Sequence, residues 1–399
     1  DDVFTVQASL SDQRFSASQR EQITSEADNL RLIAMELANA IERIVRAASS
    51  LGALPNELPS LRELQYRGED LATIVQTLTL FLEQREEEAA LYIRIEKQEW
   101  SFVATPFNIG ERFAREILSP RYAAVFTSAT ISATKDMNDF LNGVGAGYWE
   151  GAPVVKNRFP SPFDYRNNAK IIFLKKFASN THPEFPALSA EFIAQVAEVV
   201  GGGILVLFTS KDRQRKVHEA LFPLVRPKGI ELLSHGITHS SQHKAIQHFK
   251  QSNAAILMGA RGLWKGVDIP GDDLQCLILE KMPYAVPNPF TKGLQQQVIR
   301  RYREELQAQG IRADEKQLVG RAWNEVEKPA MFQAFRQMFG RLIRTETDKG
   351  VMIVLDSQLQ NNTLTPRHKQ LLELLHGTPY GVATTDQALQ ELAIHLQKP

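Results

Sequence analysis

The sequence predicts an α/β protein: a mostly parallel sheet with helices on both faces, preceded by a helical subdomain. Three observations predict it. From about residue 150 onward, short β-rich runs alternate with amphipathic helical stretches, as strands joined by crossover helices do. Ahead of that, residues 18–88 carry apolar side chains at three- and four-residue steps, the spacing of helices. At 399 residues and 43% hydrophobic composition, the chain has material for two or three cored domains.

In order, the first helix runs from about Ser18 to Leu51. Ser18 with Glu21 forms a capping box, and Leu30, Ile33, Leu37, Ile41, Ile44 and Leu51 make one apolar stripe. Gly52 and Pro55 end it. A second box, Ser60 with Glu63, opens a further helix striped by Leu71, Ile74, Leu78 and Leu82, so the two form an antiparallel hairpin reaching Glu86-Glu87-Glu88. The period then changes. Leu91–Ile95 and Ser101–Ala104 alternate like paired strands, Asn108–Leu118 reads as helix, and Tyr122–Phe126 as a short buried strand ending on Thr127-Ser128-Ala129-Thr130. Strands follow at Ile171–Leu174, Ile204–Phe208, Ile230–Leu233, Ala255–Met258, Cys276–Leu279 and Val351–Leu355, with helices near 187–200, 211–221, 240–251, 291–308 and 328–344. In such sheets ligands gather at the carboxyl ends of the strands, where the candidate motifs are expected.

Composition excludes several classes. No apolar run approaches the length of a membrane span and no signal peptide opens the chain, and Cys276 as sole cysteine rules out a disulfide framework or a cysteine-held metal cluster. A cytoplasmic protein with no membrane partner is expected. Net charge is zero, but residues 1–100 hold 18 acidic against 10 basic side chains, leaving 28 against 36 in the remainder. A mildly basic α/β part is compatible with nucleic-acid binding. The opening DDVFTVQASL has no starting Met and no capped element, so the chain is expected to begin inside a larger protein.

The strongest chemical signal is Gln337-Met-Phe-Gly-Arg-Leu-Ile-Arg344. At roughly 100° per residue on a helix, Gln333, Gln337, Arg341 and Arg344 fall in a stripe about 80° wide, opposite Phe332, Phe335, Met338, Phe339 and Leu342. One face buries, the other presents two guanidiniums beside Gly340. Planar, permanently charged forks suit a polyphosphate; the bland alternative is a solvated basic face. The run Gly259-Ala-Arg-Gly-Leu-Trp-Lys-Gly-Val-Asp-Ile-Pro-Gly271 follows a strand. Its glycines, Gly262 and Gly266 among them, allow close backbone approach to phosphates, and Asp268 is a lone carboxylate for a ribose or an arginine; a plain glycine connector explains it equally well. Thr127, Ser128 and Thr130 offer three hydroxyls, or an ordinary turn. Thr209 and Ser210 close a strand and open a helix, where a nucleic-acid phosphate binds or where Ser210 is simply an N-cap. His235, His239, His243 and His248 lack the third and fourth partners of a zinc site, so no metal is expected there. No GxxxxGK[ST] loop occurs, since Gly-Lys is never found, and Asp314-Glu315 lies in a polar helical region rather than after a strand.

Read in order, Thr127–Thr130, Ile204–Ser210, Gly259–Gly271 and Gln337–Arg344 resemble motifs III to VI of superfamily 2 helicases, nearest to the DinG/XPD-like DNA helicases. ATPFNIGE (104–111), SPFDY (161–165) and LILEKMPYAVPNP (277–289) support the likeness, which covers residues 90–358. The resemblance implies a RecA-like fold, a helical arch over 1–88, the end of motor domain 1 over 89–135, and motor domain 2 over 136–399. It implies ATP and Mg²⁺ held mainly by an upstream motor domain, any Fe–S cluster also upstream, and 5′→3′ movement by a monomer on single-stranded DNA or a tailed duplex. By position, Gln337 would contact the γ-phosphate region, with Arg341 and Arg344 as fingers beside Gly340. Gly266 and Asp268 would couple nucleotide to DNA, Thr127, Ser128 and Thr130 would link hydrolysis to movement, and Thr209, Ser210, Gly262 and Lys265 would touch DNA. Two positions depart from the family: Lys265 where Glu is usual, and Asp356-Ser-Gln358 in place of Asp-x-Arg. The rival reading is a catalytically silent nucleic-acid-binding or regulatory module, which Lys265 and the missing phosphate loop favour for the chain alone. An unrelated cofactor-binding α/β enzyme would need a phosphate loop after its first strand, and none is present.

Overall fold

Ser16, not Ser18, starts the long helix. In the computed structural model, which describes residues 5–8, 15–52, 58–96, 99–121, 123–132, 136–151, 153–264, 269 and 274–397, the Ser16 hydroxyl accepts from Gln19 N (3.2 Å) and the Gln19 side chain accepts from Ser16 N (2.9 Å). Either serine has a suitable residue three places on. Phe15 decides between them, because its ring is buried at the helix foot and its carbonyl accepts from Arg20 Nε and Nη2.

The elements run β1 (Thr5–Ala8), α1 (Ala17–Ser50), α2 (Pro59–Leu82), β2 (Ala89–Glu96), β3 (Glu99–Pro106), α3 (Gly110–Phe113), α4 (Asn138–Gly143), α5 (Tyr165–Asn168) and β4 (Ala169–Leu174). Then come α6 (Phe185–Val200), β5 (Ile204–Leu207), α7 (Lys211–Val225), β6 (Glu231–Ser234), α8 (Gln242–Gln251), β7 (Ala255–Gly259) and β8 (Cys276–Lys281). The chain continues through α9 (Pro289–Ala308), α10 (Glu315–Ala322), α11 (Lys328–Phe339), β9 (Gly350–Asp356), α12 (Pro366–Leu372), β10 (Tyr380–Ala383) and α13 (Thr385–Leu396). It divides into two units.

The first unit comprises Asp1–Ala124, Phe140–Ala152 and Val286–Glu327. Here α1 and α2 form the hairpin. Ala27, Ala34 and Ile41, seven residues apart, line its seam, and a Cβ on Gly68 would stand 3.0 Å from Ile41 Cγ2. That close approach explains a glycine in a helix interior, where it costs about 1 kcal/mol against Ala. Of the expected stripe on α1 only Ile41 is buried; Leu30, Ile33, Leu37, Ile44 and Leu51 face outward. The Ser60–Glu63 box does not form: Leu58 is the N-cap and Pro59 occupies the first turn, where its fixed φ and missing N–H already suit a helix start. Strand β2 pairs antiparallel with β3 and also with β1, a partner unforeseen in the sequence. The expected 108–118 helix is α3 followed by a π turn, Ala114–Leu118. Helix α9 packs on this unit through Phe290 against Phe107 (5.7 Å between rings) and Gln297 Nε2 donating to Glu87 O (2.5 Å).

The second unit comprises Val125–Asp139, Pro153–Ala285 and Lys328–Pro399. Its sheet has seven strands, all parallel, in the order β10-β4-β9-β8-β5-β7-β6. This is the RecA-like α/β sheet the resemblance implies, with β10 as an added edge strand. One face is covered by α6, α7 and α13, which meet Ile172, Val206, Met258 and Ile278. On the other face α12 sends His368 edge-on to Phe173 (5.4 Å). Residues 123–126 are not a strand: they pair with no sheet among the described residues, and Val125 is 89% exposed. An apolar run becomes a strand only where another strand takes its backbone N–H and C=O groups, and here the chain runs on to Thr130, which docks on α11.

Candidate functional site

Helix α11 is positioned by Met331, Phe332, Phe335, Met338 and Phe339, all buried. Its opposite side holds the 129–132 segment. Gln333 Nε2 donates to Thr130 O (3.0 Å), Arg336 Nη1 to Ser132 O (2.7 Å), and Gln337 Nε2 to Thr130 Oγ1 (3.4 Å). Two motifs more than 200 residues apart in sequence therefore meet. Thr130 is half-buried in this contact, whereas Thr127 and Ser128 are exposed, Ser128 Oγ accepting from Thr130 N (3.2 Å). Arg336 was not singled out in the sequence, although it stands one residue ahead of Gln337.

The helix ends at Phe339, so Arg341 and Arg344 do not continue its stripe. Gly340 is the first residue beyond it, and a Cβ there would meet Arg336 O at 3.2 Å. Asp348, 3% exposed, accepts from Arg344 N (2.7 Å), Thr345 N (2.9 Å) and Thr345 Oγ1, and this carboxylate turns the chain toward β9. Leu342 fills the space beside Gly350, the first residue of β9. The turn therefore lies at the amino edge of the sheet, where Asn168 Nδ2 donates to Glu346 O (2.9 Å), and not at the carboxyl edge expected for it.

A cationic field surrounds this region. Tyr165, from the SPFDY stretch, stacks on His376 (5.2 Å) and leans on Phe339 (5.5 Å). Burial pushes its phenol upward, while a hydrogen bond with Ser161 and then the Arg344 charge pull it back. Burial and then the Arg158 charge hold Arg336 below the usual arginine range, with Asp139 opposing; His376 is depressed by burial, Arg336 and Arg158.

The carboxyl edge carries a second cluster. Strands β5 and β8 are neighbours, but β5 leads to α7 and the β6 side while β8 leads to β9 on the other side. Such a reversal opens a crevice. Within it the fully buried Glu280 carboxylate accepts from Thr209 N (2.9 Å), from Thr209 Oγ1 (2.8 Å) and from Arg213 Nε. Arg213 Nη2 donates back to Thr209 Oγ1 (2.9 Å), and Ser210 is the N-cap of α7, accepting from Arg213 N (3.4 Å). Glu280 was missed, yet it left a signal: a carboxylate ending the otherwise apolar run Cys276–Leu279.

Residues 193–373 match the family model described as the helicase C-terminal domain. This stretch is a helicase C-terminal domain. The chain is homologous to DinG and YoaA proteins. It is 29% identical over 305 residues to the 3'-5' exonuclease DinG of Bacillus subtilis, covering 75% of this chain and 31% of that protein. It is 26% identical over 261 residues to the ATP-dependent DNA helicase YoaA of Escherichia coli, covering 65% and 37%. Against the ATP-dependent DNA helicase DinG of Photobacterium profundum the identity is 29% over 261 residues, covering 64% and 35%. The chain thus spans about a third of the length of these curated relatives.

The remaining candidates of the helicase domain lie after β7. Gly259 is required because a Cβ there would strike Leu263 (2.1 Å), and Gly262 sits in the short turn Arg261–Trp264, with His235 3.4 Å from where its Cβ would be. Lys265, Gly266 and Asp268 lie outside the described residues. His239 Nε2 meets His248 Nδ1 (3.2 Å), whose other nitrogen meets Glu231 (2.8 Å). Among the described residues no group of three or more such side chains is arranged to hold a metal ion, and no helix is long and apolar enough to cross a membrane.

Proposed function

We propose that this chain is the second motor portion of an ATP-dependent 5′→3′ DNA helicase acting on single-stranded DNA or a tailed duplex. In this reading 1–88 is an arch, 89–135 the end of motor domain 1, and 136–399 motor domain 2. The observation that carries it is the docking of the 129–132 segment on α11, Thr130 on Gln333 and Gln337 and Ser132 on Arg336, directly ahead of the turn bearing Arg341 and Arg344. That contact gives a route from the nucleotide-facing turn to the 127–130 segment. The residues fit a polyphosphate: burial and, after it, the Arg158 charge depress Arg336, and an anion beside the two guanidiniums would relieve their repulsion. ATP with Mg²⁺, held mainly by an upstream motor domain, supplies the hydrolysis that drives movement. Gln337, Arg341 and Arg344 orient and neutralise its terminal phosphates, Gly340 keeps the backbone close, and Gly266 and Asp268 couple the cleft to DNA. Ser210, Gly262 and Lys265 belong to the strand track, with Thr209 behind them, its hydroxyl proton committed to Glu280.

The relatives' own names, two of them ATP-dependent DNA helicases, support this reading. A silent nucleic-acid-binding module is the second reading, favoured by Lys265 and by the absence of a GxxxxGK[ST] loop from the sequence. DNA-stimulated ATPase assays separate the two. The chain alone should not turn over. Joined to the upstream sequence of its natural protein it should, and Arg341→Ala or Arg344→Ala should then lower hydrolysis by ~10³-fold or more while single-stranded DNA binding at low salt persists. Undiminished hydrolysis in both variants would sink the finger assignment.

A further inference from the structure

The outward face of α1 carries a second seam, unrelated to the one that packs on α2. Leu30, Leu37 and Ile44 stand seven residues apart, and Ile33, Ala40 and Ala47 follow each of them by three. Leu30 is 49% exposed, Ile33 62%, Leu37 51% and Ile44 54%. An apolar a/d repeat of this kind is the seam of a coiled coil. Positions on one flank, Ala34 and Ile41, are already buried against α2, so only the other flank is a solvent rim. That rim carries Asn29, Glu36, Arg43 and Ser50, all exposed.

We infer that α1 is a self-association surface on which two copies of this chain pair antiparallel about a two-fold axis. The pattern selects the second copy and its direction. In the antiparallel register, Leu30 of one copy meets Ala47 of the other, Ile33 meets Ile44, and Leu37 meets Ala40, so large side chains face small ones or a single Ile pair fills a layer. In the same register Glu36 faces Arg43 of the second copy, and Asn29 faces Ser50. The symmetry makes each pair occur twice. A parallel pairing would set Glu36 against the Ile41 position, which α2 occupies, and would form no ion pair. The seam spans about 26 Å at 1.5 Å per residue and is one helix wide, so the interface is small and the dimer concentration-dependent.

Sedimentation of the 399-residue chain across low to high micromolar concentration tests this. A concentration-dependent dimer is expected, and Leu37→Glu, at a site already half exposed, should leave a monomer of unchanged helicity. Glu36→Arg and Arg43→Glu should each weaken the dimer by about tenfold, and the double reversal should restore it. A chain that stays monomeric, a dimer indifferent to Leu37→Glu, or a double reversal no better than the single ones would overturn the proposal.

Discussion

Glu280→Gln is the most informative single change in the sheet unit. The native carboxylate is fully buried and accepts from Thr209 N (2.9 Å), Thr209 Oγ1 (2.8 Å) and the Arg213 guanidinium. The amide keeps the shape but turns one oxygen into a donor that faces donors. Breaking a buried pair by removing one charge costs about 3–5 kcal/mol. Arg213 is 23% exposed and recovers part of its hydration, which places the loss near the lower end, about 3 kcal/mol. At ~2–4 °C per kcal/mol for a unit of this size, the melting point should fall by about 6–12 °C. Thermal and urea unfolding followed by circular dichroism read this directly. A double-mutant cycle with Arg213→Ala should show the two changes costing less together than their sum by about 2 kcal/mol, since the second removes the charge the first stranded. A Glu280→Gln protein melting within about 1 °C of the parent, or additivity within ~0.5 kcal/mol, would refute the reasoning.

Arg336→Ala removes the donor to Ser132 O, so amides 127–132 should exchange faster with deuterium, while β4–β9 protection stays unchanged. Asp348→Ala strands the N–H groups of Arg344 and Thr345 and should cost about 2 kcal/mol in urea unfolding, with greater protease sensitivity at 344–348. Acid should weaken the sheet unit through His368. Its ring is 1% exposed, donates from Nε2 to Ser357 O (2.9 Å) and accepts at Nδ1 from Thr365 N, so its native value is depressed by burial, with the Ser357 carbonyl opposing. The unfolded chain then binds a proton near pH 6.5 that the native ring refuses, and stability should fall as pH drops below that value. Urea midpoints at about pH 7.5 and about pH 5.5 should differ more in the parent than in His368→Gln. Gly68→Leu should splay the hairpin at Ile41 and lower helicity on mild heating.

The elements of the sheet were legible because each is a short apolar run bounded by polar turns, and burial on both faces gives Ile204–Leu207 or Val351–Leu355 no other reading. Edges were less so. Tyr380–Ala383 is four residues long, buried only at Ala383, and pairs on one side only, and β1 depends on a partner about ninety residues away. Helical faces were legible in period but not in direction. The stripe on α1 is real, yet the hairpin packs on the smaller line of Ala27, Ala34 and Ile41, because small residues allow the closer approach that Gly68 completes. The same limit applies to Arg341 and Arg344. Extending α11 by about a turn and a half placed them on one face, and nothing local but Asp348 announces that the chain turns instead.

The side chains that organise both clusters, Glu280 and Arg336, were not among the candidate site residues, although Glu280 stands inside the LILEKMPYAVPNP stretch, and this changes what the motif residues can do. Thr209 has a single hydroxyl proton, and that proton goes to Glu280, while the same oxygen accepts from Arg213. No donor remains on Thr209 for a phosphate. If the carboxyl edge of β5 does follow a nucleic-acid backbone, the contact falls to the first-turn N–H groups of α7, to the Ser210 hydroxyl proton, and to the outward nitrogens of Arg213, which Glu280 holds in place. Thr209→Val should then leave the salt dependence of single-stranded DNA binding unchanged, while Arg213→Ala should reduce its slope by about one phosphate contact. The opposite ranking would show that the buried network opens when DNA binds, and would return Thr209 to the strand track.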